Sequence, residues 1–185
     1  MVQQPLPTID PTRTEFGFER SVCACPECVR NCRFIPGYLI PADLPRVAAH
    51  LPCGVDLFAW SRQHLLASPG AQVLRRGRVF RIPTLVPARR PDGACRFLMA
   101  DDRCAVHPVA PFGCAFFDTH QTREEADARS KRGLQAVLEA WQNGDAYSQV
   151  WTMLAEAGLT APPPEVCRAQ MQQADSPSLN QKGDV

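Results

Sequence analysis

Apolar residues recur along the chain first at helical spacing, then in alternation, then at helical spacing again. Leu44, Val47, Ala48 and Leu51 follow Pro41, a residue suited to a first helical turn, so 41–51 reads as a short helix. A second helix is predicted over 55–67, with Leu57, Phe58, Trp60, Leu65 and Leu66 turned to a core and Ser68-Pro69-Gly70 ending it. From 73 to 86 the pattern becomes extended, and Pro83 and Pro87 confine it to edge pairing because proline donates no ladder hydrogen bond. Pro91-Asp92-Gly93 marks a turn. The segments 95–99 and 104–106 read as two short strands joined by the acidic 100–103 loop. Thr122 then caps a long helix, with Glu124 and Glu125 in its first turn and Ala126, Leu134, Val137, Leu138 and Trp141 along one stripe. Asn143-Gly144 stops it, and 145–157 forms a further helix ended by Gly158.

The fold class expected from this pattern is α+β: a small helical domain with short antiparallel strands and an irregular cysteine-rich metal-binding region. Residues 1–19 read as a flexible leader, broken by Pro5, Pro7 and Pro11. Residues 20–160 form the domain. Residues 161–185, rich in proline and glutamine, read as a disordered tail. A net charge of +1 gives no global field that would draw nucleic acid or a membrane surface. Arg75, Arg76, Arg78, Arg81, Arg89 and Arg90 make a local basic stretch, read as a solvated face rather than a nucleic-acid contact. No segment approaches 18 consecutive apolar residues, so no membrane span is expected. The N-terminus carries no apolar signal region, and the expected location is cytoplasmic.

Nine cysteines change this picture. In a chain without an export signal they read as thiolate ligands or redox groups rather than as a disulfide framework. Cys23, Cys25, Cys28 and Cys32 lie within ten residues, at spacings known from zinc knuckles and iron–sulfur loops. Cys95, Cys104 and Cys114 form a looser group, each beside turn-forming residues, with His107 between the last two. Cys53 and Cys167 stand apart and are secondary candidates, as are His50, His107 and His120. Buried thiols acting as small apolar side chains are the alternative reading of any one of these cysteines.

Three blocks of the chain resemble the YkgJ-type cysteine-cluster proteins, described as zinc- or iron-chelating. They are Cys25-Pro-Glu-Cys28-Val-Arg-Asn31-Cys32-Arg33, Asp92-Gly93-Ala94-Cys95-Arg96-Phe97-Leu98, and Cys104-Ala-Val106-His107-Pro108-Val-Ala-Pro111-Phe-Gly-Cys114-Ala-Phe116-Phe117. The resemblance spans 20–118. Where the family has paired cysteines this chain has Asn31-Cys32, and Cys23 stands nearby as a substitute thiol. Arginines usual in the family's third block are Ala110 and Ala115 here. The resemblance implies metal binding and no particular reaction.

The expected ligands are therefore Cys23, Cys25, Cys28, Cys32, Cys95, Cys104 and Cys114. Sulfur-rich ligation suits an iron–sulfur cluster or zinc and not magnesium or calcium. The seven divide as four and three, serve one cluster with spare thiols, or make two centres with help from Cys53 or His107; sequence leaves these open. The functional readings are a redox or electron-transfer protein, or a zinc-stabilised structural or protein-interaction module whose protein partner is unspecified. Asp101, Asp102, Asp118 and His120 would be the acid–base groups of an enzyme, although solvated loop charges are the simpler account.

Overall fold

The computed structural model describes residues 14–15, 17–21, 23–51 and 56–174. Two short strands, β1 (Thr14–Glu15) and β2 (Phe18–Glu19), pair antiparallel inside the segment read as a leader. Residues 1–13 lie outside the description. Pro26 then starts α1 (Pro26–Phe34), its fixed φ and missing N–H being harmless in a first turn.

Helices α2 (Asp43–His50) and α3 (Leu57–His64) follow the expected positions, and Asp56 caps α3 by accepting from the Phe58 and Ala59 N–H groups. The expected 55–67 helix stops short, however. At Leu65 the chain becomes extended and forms β3 (Leu65–Ser68), which pairs antiparallel with β6 (Thr84–Pro87), Leu65 opposite Pro87. Leu65 and Leu66 satisfy either period, and a partner strand 20 residues away decides between them. Between these strands, β4 (Gln72–Arg75) and β5 (Arg78–Arg81) form a separate hairpin whose turn residues Arg76 and Gly77 both have positive φ.

The core lies over the β3–β6 ribbon. Leu39 adds a bridge to Leu85, and the Tyr147 hydroxyl donates to the Leu39 carbonyl at 2.7 Å while accepting from the Leu85 N–H at 2.8 Å. Around this junction pack Leu44, Val47, Trp60, Phe112, Phe116, Val137, Val150 and Leu154, all buried. The long helix α5 (Arg123–Asn143) begins with the expected cap, a reciprocal Thr122–Glu125 box, and ends at Gly144 in the left-handed region. It and α6 (Ala146–Glu156) brace the ribbon, the indoles of Trp141 and Trp151 donating to the Pro83 and Ser68 carbonyls.

Two expectations are corrected. Residues 161–185 were expected to be disordered, yet α7 (Pro164–Gln173) forms there and packs against α1. Its polar composition conceals one buried anchor, Cys167. The two strands expected at 95–99 and 104–106 reduce to single bridges, Arg89 to Cys95 and Leu98 to Cys104, because tight turns interrupt both. The architecture remains α+β, with seven α-helices and short antiparallel pairs among the described residues. No helix among them is long and apolar enough to cross a membrane.

Candidate metal centre

The dense cysteine run does not all converge on one point. Cys25 is the N-cap residue, Cys28 lies in the first turn, and Cys32 lies one turn further on. Cys28 and Cys32 stack one turn apart on the same side of α1, and Cys32 feels the Cys28 charge, but it is not part of the group of close ligand atoms that Cys28 joins.

At the N-terminal end, Cys23, Cys25, Cys28 and His120 bring one ligand atom each to within 4.8 Å of one another. His120 Nε2 lies 3.3 Å from Cys25 Sγ, and Thr119 Oγ1 lies 3.2 Å from Cys28 Sγ. The loop carrying Thr119 and His120 is fixed by Asp118, which accepts from the His120 N–H at 2.8 Å and from the Ser21 hydroxyl at 2.7 Å. That second bond ties the loop to the strand leading into Cys23. Ser21 N–H also donates to the Ala115 carbonyl at 2.7 Å. A thiol at a helix N-terminus gains from the macrodipole when ionised. Burial alone would raise the Cys28 thiol, but hydrogen bonds from the Thr119 side chain and backbone, with those of Cys23 and Cys25, outweigh it and the net direction is down. His120 is raised, first by its hydrogen bond to Cys25 and then by that sulfur's charge. This three-cysteine, one-histidine group can hold a metal ion.

The C-terminal end of α1 faces a different set. Cys95 N–H donates to the Cys32 carbonyl at 2.8 Å, seating the 88–98 loop on α1. The Leu98–Cys104 bridge brings the next turn alongside. Cys114 arrives on the one-turn helix α4 (Phe112–Ala115), which the buried Asp43 anchors by accepting from the Phe112 N–H at 2.7 Å and the Ile40 N–H at 2.9 Å. Gly37 and Gly113 cross there in backbone contact. A Cβ on Gly37 would stand 2.0 Å from the Gly113 carbonyl carbon, so only glycine permits the approach. Burial is the main cause that pushes Cys95 up to about 12, Cys104 up to about 11, and Cys114 well above the ordinary thiol range. Each of these also feels the charge of Cys32.

Of the seven expected ligands, Cys23, Cys25 and Cys28 are brought together, and the linear block that the sequence suggests is not kept. Cys32 stays outside the close group; its carbonyl accepts from the Cys95 N–H, and it still feels the Cys28 charge. His120, a secondary candidate by sequence, takes the fourth place beside Cys23, Cys25 and Cys28. It lies 92 residues beyond Cys28, outside any ligand spacing, and its only sequence signal was a turn-forming Asp118-Thr119-His120 shortly after the last cysteine block. His107 serves instead through its carbonyl, which accepts from Arg20 at 2.6 Å. Cys167 is buried on α7 and takes a 3.1 Å contact from Arg89 Nη2, away from both groups. Cys53 lies outside the described residues. Asp101 and Asp102 are exposed and paired with Arg103 and Arg33. Of the basic stretch, Arg81 pairs with Glu165, Arg89 donates to the Phe34 and Gly93 carbonyls, and Arg90 pairs with Asp92. No family model, no curated protein and no solved structure matches the chain.

Proposed function

We propose that the chain is a zinc-binding protein in which Cys23, Cys25, Cys28 and His120 hold one ion as a closed structural site. The observation that carries this reading is the gathering of the four ligand atoms within 4.8 Å. Tetrahedral zinc with bonds of about 2.3 Å to sulfur sets its ligand atoms about 3.8 Å apart, between the 3.3 Å of the Cys25–His120 pair and the 4.8 Å span of the group. Four protein ligands leave no open position, which favours a structural role over catalysis. The ion would cross-link the segment before α1 to the 118–120 loop, a closure of more than 90 residues of chain between Cys28 and His120. The YkgJ-type resemblance supports metal chelation in the same region. Reduced thiolates suit a reducing compartment, and a cytoplasmic location is part of the proposal.

Elemental analysis of the anaerobically purified full chain tests it. One zinc per chain is expected, with Cys25→Ser and His120→Ala each lowering zinc content. Zinc content unchanged in both variants would remove this group from consideration. Complete chelation should loosen 17–28 and 118–121, read as faster amide hydrogen exchange there; unchanged protection would remove the structural role.

A further inference from the structure

We propose that Cys25 and Cys28 are a dithiol pair that reduces disulfide substrates, and that closing their own disulfide releases the ion held beside them. The release rests on the zinc reading; the exchange itself does not.

The pair is Cys25-Pro26-Glu27-Cys28 at the start of α1, with Cys25 as N-cap and Pro26 as the first helical residue. The turn between the two cysteines is already closed, since the Val29 N–H donates to the Cys25 carbonyl at 2.9 Å. Three residues of helix set their Cα atoms about 5 Å apart. A disulfide needs roughly 4.4–6.8 Å between Cα atoms, so the bond closes without unwinding the helix. The two sulfurs already lie within 4.8 Å of each other. An N-cap side chain has no helical turn before it, so rotation about its own bonds can bring them to the S–S distance of about 2 Å. Cys32, Cys95, Cys104 and Cys114 join no close group of three or more ligand atoms among the described residues, and Cys95 is buried besides.

The surroundings assign a role to each sulfur. Cys25 is half-buried between the exposed Ala24 and Pro26, and its sulfur stands 3.3 Å from His120 Nε2, a proton acceptor. Cys28 sulfur is screened by Thr119, whose hydroxyl lies at 3.2 Å and whose N–H lies at 3.5 Å. Cys25 is therefore the attacking thiol and Cys28 the resolving one.

The Cys25 sulfur attacks one sulfur of a substrate R–S–S–R, and its proton passes to His120 Nε2. The substrate S–S bond breaks, one RS⁻ leaves and takes up that proton, and a Cys25–S–S–R bond forms. The Cys28 sulfur then attacks Cys25 sulfur. The second RS⁻ leaves with the Cys28 proton, and the Cys25–Cys28 bond forms. The substrate gains two electrons and becomes two thiols, and the chain loses two. Because Cys28 is held one turn away, this second step is intramolecular and outpaces attack by a thiol from solution. Closure consumes two thiolate ligands, leaving Cys23 and His120, too few to keep a zinc ion.

The full-length chain as purified is treated with oxidised glutathione and, in parallel, with insulin. Peptide mass spectrometry should find a Cys25–Cys28 bond after treatment with either substrate, with two substrate thiols released per bond. Zinc bound beforehand should pass to a chromogenic chelator as the bond forms, and a dithiol reductant should restore its uptake. Cys28→Ser should stop at a mixed disulfide on Cys25, and Cys25→Ser should form neither product. His120→Gln should slow the first step about tenfold or more. The wild-type bond map decides even where a variant does not fold: failure with both substrates, or a dominant bond to Cys23 or to a cysteine beyond Cys28, would overturn the proposal. A chain that carries no zinc yet forms the Cys25–Cys28 bond would support the exchange and overturn the zinc reading alone. A zinc-loaded chain that forms no such bond would overturn the exchange alone.

Discussion

The two ends of α1 present the same side chain, cysteine, in opposite settings. At the N-terminal end three thiols and an imidazole lie near the surface, close together, with Thr119 and Asp118 holding the loop that completes them. Toward the C-terminal end Cys95 is buried in the core, Cys32, Cys104 and Cys114 pack against it, and Cys114 Sγ donates to the Gly37 carbonyl at 3.8 Å. The contrast shows that cysteine spacing in sequence does not determine which thiols come together. Cys28 and Cys32 are only one turn apart, yet only Cys28 joins the close group with Cys23, Cys25 and His120.

The sharpest way to separate the two settings is thiol reactivity in the reduced, metal-free protein. At pH 8 a thiol at about 12, such as Cys95, is ionised to roughly one part in ten thousand. Cys28 is lowered by hydrogen bonds from Thr119, Cys23 and Cys25 despite partial burial, and only the thiolate reacts. Iodoacetamide followed by peptide mass spectrometry should label Cys28 orders of magnitude faster than Cys95. Comparable rates would erase the distinction drawn between the ends of α1.

Gly113→Val should come next in size. Its side chain would meet the Tyr38 N and Gly37 backbone at under 3 Å, forcing the 37–38 and 112–114 segments apart. A loss on the order of 3 kcal/mol is expected in urea unfolding. The masking of the Cys114 thiol from alkylation should suffer more than metal at the His120 group, since Cys114 adjoins the crossing. Equal loss at both would mean that the groups are not structurally independent.

Asp118→Asn probes the outer end alone. The carboxylate accepts from Ser21 and from the His120 N–H, and its charge helps to hold His120 raised. Loss of such a supporting partner typically weakens metal affinity about 10–100-fold. Competition with a zinc indicator should show that loss. Thr119→Val should have the smallest effect. It removes the hydroxyl contact to Cys28 but keeps the Thr119 N–H, 3.5 Å from the same sulfur, so a loss of about 1 kcal/mol or less is expected. A larger effect than that of Asp118→Asn would show that the hydroxyl, rather than the loop clamp, organises the site.

Much of the framework was legible because its causes are local. The Thr122 cap and the Asn143-Gly144 stop of α5 each act on their own neighbours, so residue type was sufficient. The 55–67 segment was not legible in full, because Leu65 and Leu66 fit two periods and only β6 selects the strand. Helix α7 was hidden for a similar reason. Its sequence is polar, and its ordering depends on α1 and on the Arg89 contact to Cys167.

Sequence by itself determined the chemistry available to this protein: abundant thiols in three blocks, no acidic or basic excess, and a proline at the position that starts α1. It restricted the metal to those that favour sulfur, because side-chain type decides ligand softness. Only the tertiary structure decided which thiols meet. The partition depends on a two-glycine crossing that admits Cys114 and on a loop that returns His120 from 92 residues away. These are distances through space between segments remote in the chain, and no local spacing encodes them.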